Sequence, residues 1–257
     1  MQLFQRIFFA AVLAGLAAGL VMSAFQQWKV VPLILQAETF EATEQVHDHA
    51  VVAHEHAPGT PAHDDAVPTT VAPTHAHDEN AWTPQDGLER ALYTVLADVL
   101  GSIAFAFLLV ATAIVVKIDI TPRNGLLWGL GGWIAFQLAP AFGLPPELPG
   151  MAAADLGARQ LWWWGTAIAS AGAFLLIAKR PNPVSFAIGT FLLLAPHVIG
   201  APVAPDEPSV VPAHLATAFA ASALTVSALF WLLVGPLIGY FNQVFQNTAP
   251  ATRSATL

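Results

Sequence analysis

The chain has no cysteine and only three methionines among its 257 residues. The lack of cysteine excludes disulfides, thiolate metal sites and thiol redox chemistry, and the few methionines argue against a thioether path for cuprous ion. Charged residues are also scarce, at 10% of the chain, whereas hydrophobic residues make up 56% and the mean hydropathy is +0.60. A soluble core of this size cannot bury so much apolar surface, so the composition predicts an integral membrane protein. The formal net charge of −8 gives no support to nucleic-acid binding.

Six apolar stretches are long enough, or nearly so, to cross a bilayer as helices of about 20 residues. They predict an all-α fold, a polytopic bundle of about six transmembrane helices. The predicted organisation is a first helix over residues 1–35, an external loop over 36–90, five further helices over 91–240 and a cytoplasmic tail over 241–257. The stretches are Ile7–Leu35, Ala91–Val116, Leu126–Phe142, Leu161–Ala178, Val184–Ile199 and His214–Tyr240.

The basic residues indicate which side of the membrane each loop faces. With six helices threaded, most of them fall on one side, which the positive-inside rule makes cytoplasmic: Arg6, Lys117, Arg123, Lys179, Arg180 and Arg253. Both termini are then cytoplasmic, and the loop over residues 36–90 faces the periplasm or its equivalent. A cleaved signal peptide is an alternative for the first stretch, but Gly15 and Gly19 predict a helix-packing face there, as Gly125 and Gly129 do in the third stretch.

The external loop holds seven of the nine histidines, interleaved with acidic residues and prolines. Neutral imidazole and carboxylate are the ligands that zinc, cobalt and nickel prefer, and imidazole must be neutral to bind them. The loop is therefore predicted to be a disordered tether that captures metal ions outside the membrane. The alternative is a solvated low-complexity loop with no ligand. The histidines are His47, His49, His54, His56, His63, His75 and His77.

Two similar strings, Leu138-Ala139-Pro140 and Leu194-Ala195-Pro196, end the third and fifth stretches, and Pro32 lies near the end of the first. This partial repeat suggests three parallel helical hairpins. Proline also frees the carbonyl about four residues earlier, near Phe136 and Leu192. Free carbonyls beside the outer carboxylates would suit a cation, although proline that simply stops each helix at the membrane surface explains the pattern equally well.

Few ionisable residues fall inside the predicted spans, and such residues are costly in a membrane and often functional. Asp98 lies two turns into the second stretch and is predicted to line a polar cavity as a cation or proton relay point; the alternative is that it pairs with another helix. His197 and His214 flank one outer loop and are predicted to converge there. Asp155 and Arg159 are four residues apart and would pair in a helix, which makes a metal-ligand role for Asp155 the weaker alternative.

The chain resembles the family of probable cobalt transporter subunits named CbtA. The resemblance rests on RIF at residues 6–8, VPLILQAETFE at 31–41, GLPPELPG at 143–150, DLGARQ at 155–160 and APHVIGAP at 195–202. It implies a multi-pass bacterial inner-membrane protein that works in cobalt uptake for cobalamin with a small single-helix partner, CbtB, that carries histidines. The positions it favours for function are Glu38, Glu41, Glu147, Asp155, Arg159, His197 and His214.

The expected function is uptake of a divalent transition metal as substrate, cobalt before nickel or zinc, with no organic cofactor. None of the three lysines follows a glycine in a phosphate-binding loop, so the chain is not expected to hydrolyse ATP. A metal sensor or scaffold that works with a small partner is one alternative. A membrane metalloenzyme is the other, and no His-Glu-x-x-His motif supports it.

Overall fold

The computed structural model describes residues 2–40, 82–206 and 209–248, and within these ranges all regular structure is helical. The predicted all-α helical membrane bundle is therefore confirmed. We label the helices in chain order: α1 is Gln2–Lys29, α2 is residues 31–40, α3 is Leu88–Val116, α5 is Leu156–Lys179, α6 is Pro183–Ile199 and α7 is Ala213–Thr248. Helix α4 is continuous but mixed: Gly125–Trp133 is α-helical, Ile134–Leu138 is π-helical and Ala139–Ala141 is α-helical.

Four of the six predicted spans are helices that are long and apolar enough to cross a membrane by themselves: α1, α3, α5 and α7. Helix α6 has 17 residues, about 26 Å at 1.5 Å per residue, a little less than the hydrocarbon core of about 30 Å. Helix α4 is similarly short. These two helices can reach both surfaces only where the bilayer is thin or where loops complete the path.

The first span is shorter than its apolar stretch suggests, because α1 ends at Lys29 and a turn at Val30 separates it from α2. Pro32 explains the break, since it has no backbone N–H and its ring crowds the carbonyl four residues earlier. Val30 is buried with Ala37 of α2 and with Leu148 and Leu215 in a cluster at the end of the bundle that the sequence predicts to face outward. We name this the outer end and the opposite one the inner end. The apolar residues after Lys29 thus form a cap over α7 instead of extending the first span.

Helix α1 packs along α3 and along α7, whereas α4 packs on α7 and α5 packs on α6. The first predicted hairpin, α1 with α3, is present. The predicted set of three hairpins is wrong, since α7 makes its main contacts with α1 and α4 and not with α6. The reason is a close approach of glycines: Gly125 of α4 faces the backbone of Gly235 and Pro236 in α7 so closely that a Cβ atom there would lie 2.7 Å from the Pro236 Cα.

An aromatic cluster fills the centre of the bundle. Trp231 of α7 is fully buried and stacks on Phe136 of α4, with ring centroids 5.8 Å apart and planes 6° apart. Phe105 of α3 meets both rings edge on, and Trp133 Nε1 donates a hydrogen bond to Ser227 Oγ at 3.2 Å. This cluster joins α3, α4 and α7 at the centre of the bundle.

Proline shapes α4 as the sequence predicts, though without ending the helix at once. Pro140 cannot donate to the carbonyl of Phe136, and in the turn before it the helix widens so that the Ala139 N–H donates to the Ile134 carbonyl, five residues back. In α6 the helix continues past Pro196 to Ile199. The predicted helix irregularity is therefore present at Pro140, and both helices continue beyond their prolines.

Candidate functional site

The seam between α1 and α3 carries the one acidic residue that lies well inside a described span. Asp98 is half-buried, ten residues after the start of α3 at Leu88, or about 15 Å along the helix. Ser23 of α1 lies beside its carboxyl group. No hydrogen bond of good geometry joins them, since neither Asp98 Oδ2 nor Ser23 Oγ has a partner among the described residues.

Two further polar side chains of this seam each have a buried atom without a hydrogen-bond partner. Gln27 Nε2 lies one turn of α1 above Ser23, and Ser102 Oγ lies one turn of α3 below Asp98. Ser23 and Ser102 are each only 2% exposed. A buried polar atom without a partner costs about 1–3 kcal/mol. Four such atoms lie along this one seam, an arrangement that suits water, a proton or an ion.

The close approach of the two backbones places these groups. A Cβ atom on Gly19 would lie 2.8 Å from both Cβ and Oγ of Ser102, and one on Gly15 would lie 2.6 Å from the Cα of Ile103. The helix-packing role predicted for Gly15 and Gly19 is therefore confirmed. Because the spacing of four residues continues from Gly19 to Ser23 and Gln27, the same face of α1 changes from glycine to polar residues toward its outer end.

The two outer glutamates favoured by the sequence and included in the described residues are held by arginines. Glu38 of α2 accepts two hydrogen bonds from Arg90 of α3, one of them at 3.0 Å from Nη1, and Arg90 also contacts Asp86. Glu147 accepts one from Arg159 Nη2 at 2.6 Å. Both pairs are partly buried. A cation would have to displace an arginine to bind either carboxylate.

Asp155 has a structural role in this state. Its side chain caps α5, with Oδ1 accepting a hydrogen bond from the Ala158 N–H at 2.9 Å. The predicted pairing of Asp155 with Arg159 is wrong, because Arg159 turns instead to Glu147, which approaches from the loop after α4. Sequence spacing along one helix could not show that a loop brings a second carboxylate closer.

An open cavity of about 340 Å³ lies at the outer ends of α4 and α5, beside the pair formed by Glu147 and Arg159. Gln137 enters its wall from the π-helical turn of α4, and Gln160 and Trp163 enter from α5. Single π-helical turns often occur at functional sites. The π-helical turn before Pro140 thus contributes the amide of Gln137 to the wall of this cavity.

The two described histidines occupy different environments. His197 of α6 packs edge on against Phe142 and Trp162, with ring centroids 6.0 Å and 5.9 Å away, in an apolar cavity of about 600 Å³. His214 is exposed at the start of α7. Trp162 Nε1 also donates to the Pro196 carbonyl at 3.2 Å. Within the described ranges, no three histidine or acidic side chains come together as a metal site.

Most of the predicted tether lies outside the described residues. This part includes Glu41 and the histidines His47, His49, His54, His56, His63, His75 and His77. Their role as ligands stays a prediction, as does that of Glu38, Glu147, Asp155, His197 and His214. The role of Asp98 as a cation or proton relay point also stays a prediction. The flanks of this segment are described. Glu38 of α2 contacts Arg90 of α3, so the described residues on either side of this segment meet at one end of the bundle.

The family profile described as probable cobalt transporter subunit (CbtA) matches residues 4–243, which is nearly the whole chain. The chain belongs to the CbtA family. Comparisons with curated proteins and with solved structures give no significant match. Membership, together with four helices able to cross a bilayer, makes this CbtA chain a membrane-located transporter subunit. The word subunit also implies that it works with a partner.

Some residues of the site were missed by sequence reasoning. Ser23, Gln27 and Ser102 have ordinary polar side chains and attract no attention singly. Their spacing could have revealed them, since Ser23 and Gln27 continue the four-residue spacing of Gly15 and Gly19. Ser102 likewise follows Asp98 by four residues. Gln137 could not have been found in this way, because its direction depends on the π-helical turn.

Proposed function

We propose that this chain is the membrane subunit that carries a divalent transition metal, cobalt in the first instance, into the bacterial cytoplasm. The observation that carries the proposal is the family match over the entire membrane region. A half-buried acid without a counter-ion inside that region supports it, since such residues usually mark ion or proton paths. The proposed topology has both termini in the cytoplasm and residues 36–90 in the periplasm.

In this proposal the seven histidines of the tether capture the ion. In an extended chain, residues i and i+2 point the same way and lie about 6–7 Å apart, so each His-x-His pair can close around one ion. Many weak sites on one tether keep the local ion concentration high while allowing release. Because imidazole binds metal only when neutral, capture is expected to fade as the pH falls through about 6.5.

Transfer from the tether to the bundle is assigned to the outer rim. The ion pair of Glu38 with Arg90 lies at the base of the tether, and the pair of Glu147 with Arg159 lines the cavity of about 340 Å³. Each carboxylate becomes available once its arginine is displaced. No complete metal site exists among the described residues, so the remaining ligands are expected from Glu41, from the tether histidines or from a small histidine-bearing partner of the CbtB type. His197, His214 and Asp155 are further candidates on the same side.

The membrane potential can drive this transport without nucleotide hydrolysis. Moving one charge across 100 mV is worth about 2.3 kcal/mol, so a divalent cation that enters a cell with a negative interior gains about 4.6 kcal/mol. This driving force corresponds to accumulation of more than about a thousandfold at equilibrium, because 1.4 kcal/mol is worth a factor of ten.

The capture step is tested by radiocobalt uptake in cells that carry the complete transporter. Replacing the seven tether histidines by asparagine keeps the length and the acids of the segment. The variant is expected to lose uptake at low cobalt and to keep it at saturating cobalt. The matched control replaces the five interleaved acids, Asp48, Glu55, Asp64, Asp65 and Asp78, by their amides. Equal uptake by the histidine variant and the parent at all concentrations would contradict capture by the tether.

A further inference from the structure

The unpaired polar groups between α1 and α3 form a row along the seam and do not surround a common centre. Ser102 and Asp98 are four residues apart on α3, and Ser23 and Gln27 are four apart on α1, which is about 6 Å in each case. Ser102 faces Gly19, and Ser23 lies beside Asp98. Since the two helices run in opposite directions, the row extends from Gln27 at the outer end, past Ser23 and Asp98, to Ser102.

The row is closed on its inner side. Directly below Ser102, Ile103 packs on Gly15 so closely that no Cβ atom would fit. Below that contact lie Ala11, Ala14 and Ala106, which belong to the central apolar cluster. The path of polar groups thus leads inward from the outer end of the bundle and stops about halfway along α1.

No charged side chain in the described ranges forms an ion pair with Asp98. On α1, Lys29 sits over the Trp28 ring, 4.0 Å from its centroid, and Arg6 is at the opposite end. On α3, Arg90 is occupied by Glu38 and Asp86, with Glu89 and Tyr93 also toward the outer end. The titratable residues of α7 are His214 and Tyr240, at its outer start and toward its inner end.

The chemistry of the row suits a proton better than a transition metal. Its groups are hydroxyls, one amide and one carboxylate, with no imidazole, whereas cobalt and nickel prefer nitrogen together with oxygen. A row about 12 Å long between two helices also cannot surround a single ion. Hydroxyls and amides both donate and accept hydrogen bonds, so with water they can pass a proton to the carboxylate of Asp98.

We propose that Asp98 is the proton-binding residue that couples cation uptake to the proton gradient, that Gln27 and Ser23 connect it to the outside by hydrogen bonds, and that Ser102 continues the row on the inner side of Asp98. The inference rests on the proposed transport function. A proton from the outer solution binds the Asp98 carboxylate and neutralises it. When the contact of Gly15 with Ile103 opens, the proton leaves to the cytoplasm, so that one proton enters with each cation.

The test uses the complete transporter, with its co-purified partner, in liposomes that contain a pH dye. Three quantities are measured: cobalt exchange without any gradient, cobalt accumulation driven by an acidic exterior, and acidification of the interior when cobalt is added. In Asp98→Asn we expect loss of the acidification and of the gradient-driven accumulation, with gradient-free exchange retained. Asp119→Asn is the matched control, since this acid is exposed in the loop after α3, and it is expected to retain all three.

Two results would overturn the inference. If Asp98→Asn still acidifies the interior, Asp98 does not bind the coupled proton. If it loses exchange as well, while eluting and melting like the parent, Asp98 is a ligand of the cation itself. Ser102→Ala provides a milder variant, and we expect slower proton influx with unchanged exchange; an unchanged influx would remove Ser102 from the path.

Failure of the proposed function can be recognised separately. If the parent protein moves no cobalt, the transport proposal fails, but proton binding can still be followed by infrared difference spectroscopy on the purified protein. A carboxylic acid C=O band that titrates with pH in the parent and is absent in Asp98→Asn would keep the proton site. Absence of any such difference between the two would reject it.

Discussion

Two helix seams of this protein both depend on close packing at glycines, and yet their side chains differ in chemistry. Glycines bring α1 against α3 and bring α4 against α7. In the second seam the neighbouring side chains are apolar and aromatic, with Trp231 at the centre. In the seam of α1 and α3 the neighbouring side chains include four polar atoms without partners. Close glycine packing is therefore a general means of helix association here, and the unpaired polar groups are what set the seam of α1 and α3 apart from the seam of α4 and α7.

The outer rim provides a second contrast. Its charged groups are satisfied: Glu38 by Arg90, Glu147 by Arg159, and Asp155 by the start of α5. Partnered groups at the surface contribute modestly to stability, whereas unpaired groups in the seam reduce it. Substitutions in the two regions should thus have opposite effects on stability, which can be measured by thermal unfolding in detergent.

The largest loss of stability is expected in the apolar seam. In Gly129→Ala the new methyl group would meet the backbone carbonyl of Trp231, which cannot move away easily, so we expect a loss of about 1–3 kcal/mol from overpacking. Gly131→Ala in the same helix is the control, because no atom outside the helix's own backbone lies within 4 Å of its Cβ position. It should gain up to about 1 kcal/mol from helix propensity. Equal effects of the two would show that α4 does not lie on α7 as described.

The polar seam should respond in the opposite direction. Ser102→Ala removes a buried hydroxyl without a partner, so we expect stability to rise by about 1 kcal/mol, while proton-coupled transport slows. Thr112→Ala on the same helix is the control. Its hydroxyl donates to the Leu108 carbonyl at 2.7 Å and is exposed, so little change is expected. Destabilisation by Ser102→Ala would mean that the hydroxyl has a partner in the membrane.

Asp155 tests whether a rim carboxylate is a cap or a ligand. Asp155→Ala should cost about 1 kcal/mol, because the Ala158 N–H loses its acceptor. Asp155→Ser should restore most of this stability, since serine also caps helices, but it removes the carboxylate. If cobalt uptake recovers together with stability in the serine variant, Asp155 acts as a cap; if uptake stays low, it acts as a ligand.

The smallest effect is expected at the pair of Glu38 and Arg90. Its side chains are about one-third exposed, and such pairs are worth about 0.2–1 kcal/mol. A double-mutant cycle with Glu38→Gln and Arg90→Gln should therefore give a coupling free energy in that range. A coupling several times larger would show that this contact, at the base of the tether, stabilises the outer cap more than a surface pair can.

Much of the fold follows from hydrophobicity and from two residue types. The apolar stretches predicted the spans, and glycine spacing predicted where backbones approach. Pro140 predicted a free carbonyl near Phe136, and the structure has a π-helical turn at that position. The pairing of α7 with α4 could not be predicted, because it depends on glycines of two distant helices meeting, and a single sequence shows only the spacing within each helix.

The candidate site was likewise predicted only in part, because a sequence shows the residues of each helix but not how the helices pack. Asp98 stood out because an acid in an apolar stretch is costly and rare. Its neighbours Ser23 and Gln27 come from another helix, and their contribution depends on the register of α1 against α3. At the rim, the partner of Arg159 was mistaken because Glu147 arrives from a loop whose path is set by Pro145, Pro146 and the burial of Leu148.

The central claim is that this CbtA chain moves a divalent cation inward along the membrane potential. The direct measurement is radiocobalt accumulation by liposomes that contain the complete transporter, with a potassium gradient and valinomycin to make the interior negative. The account predicts saturable accumulation that increases with the imposed potential and disappears when the potential is abolished. Accumulation no greater than in protein-free liposomes, at any potential, would contradict it.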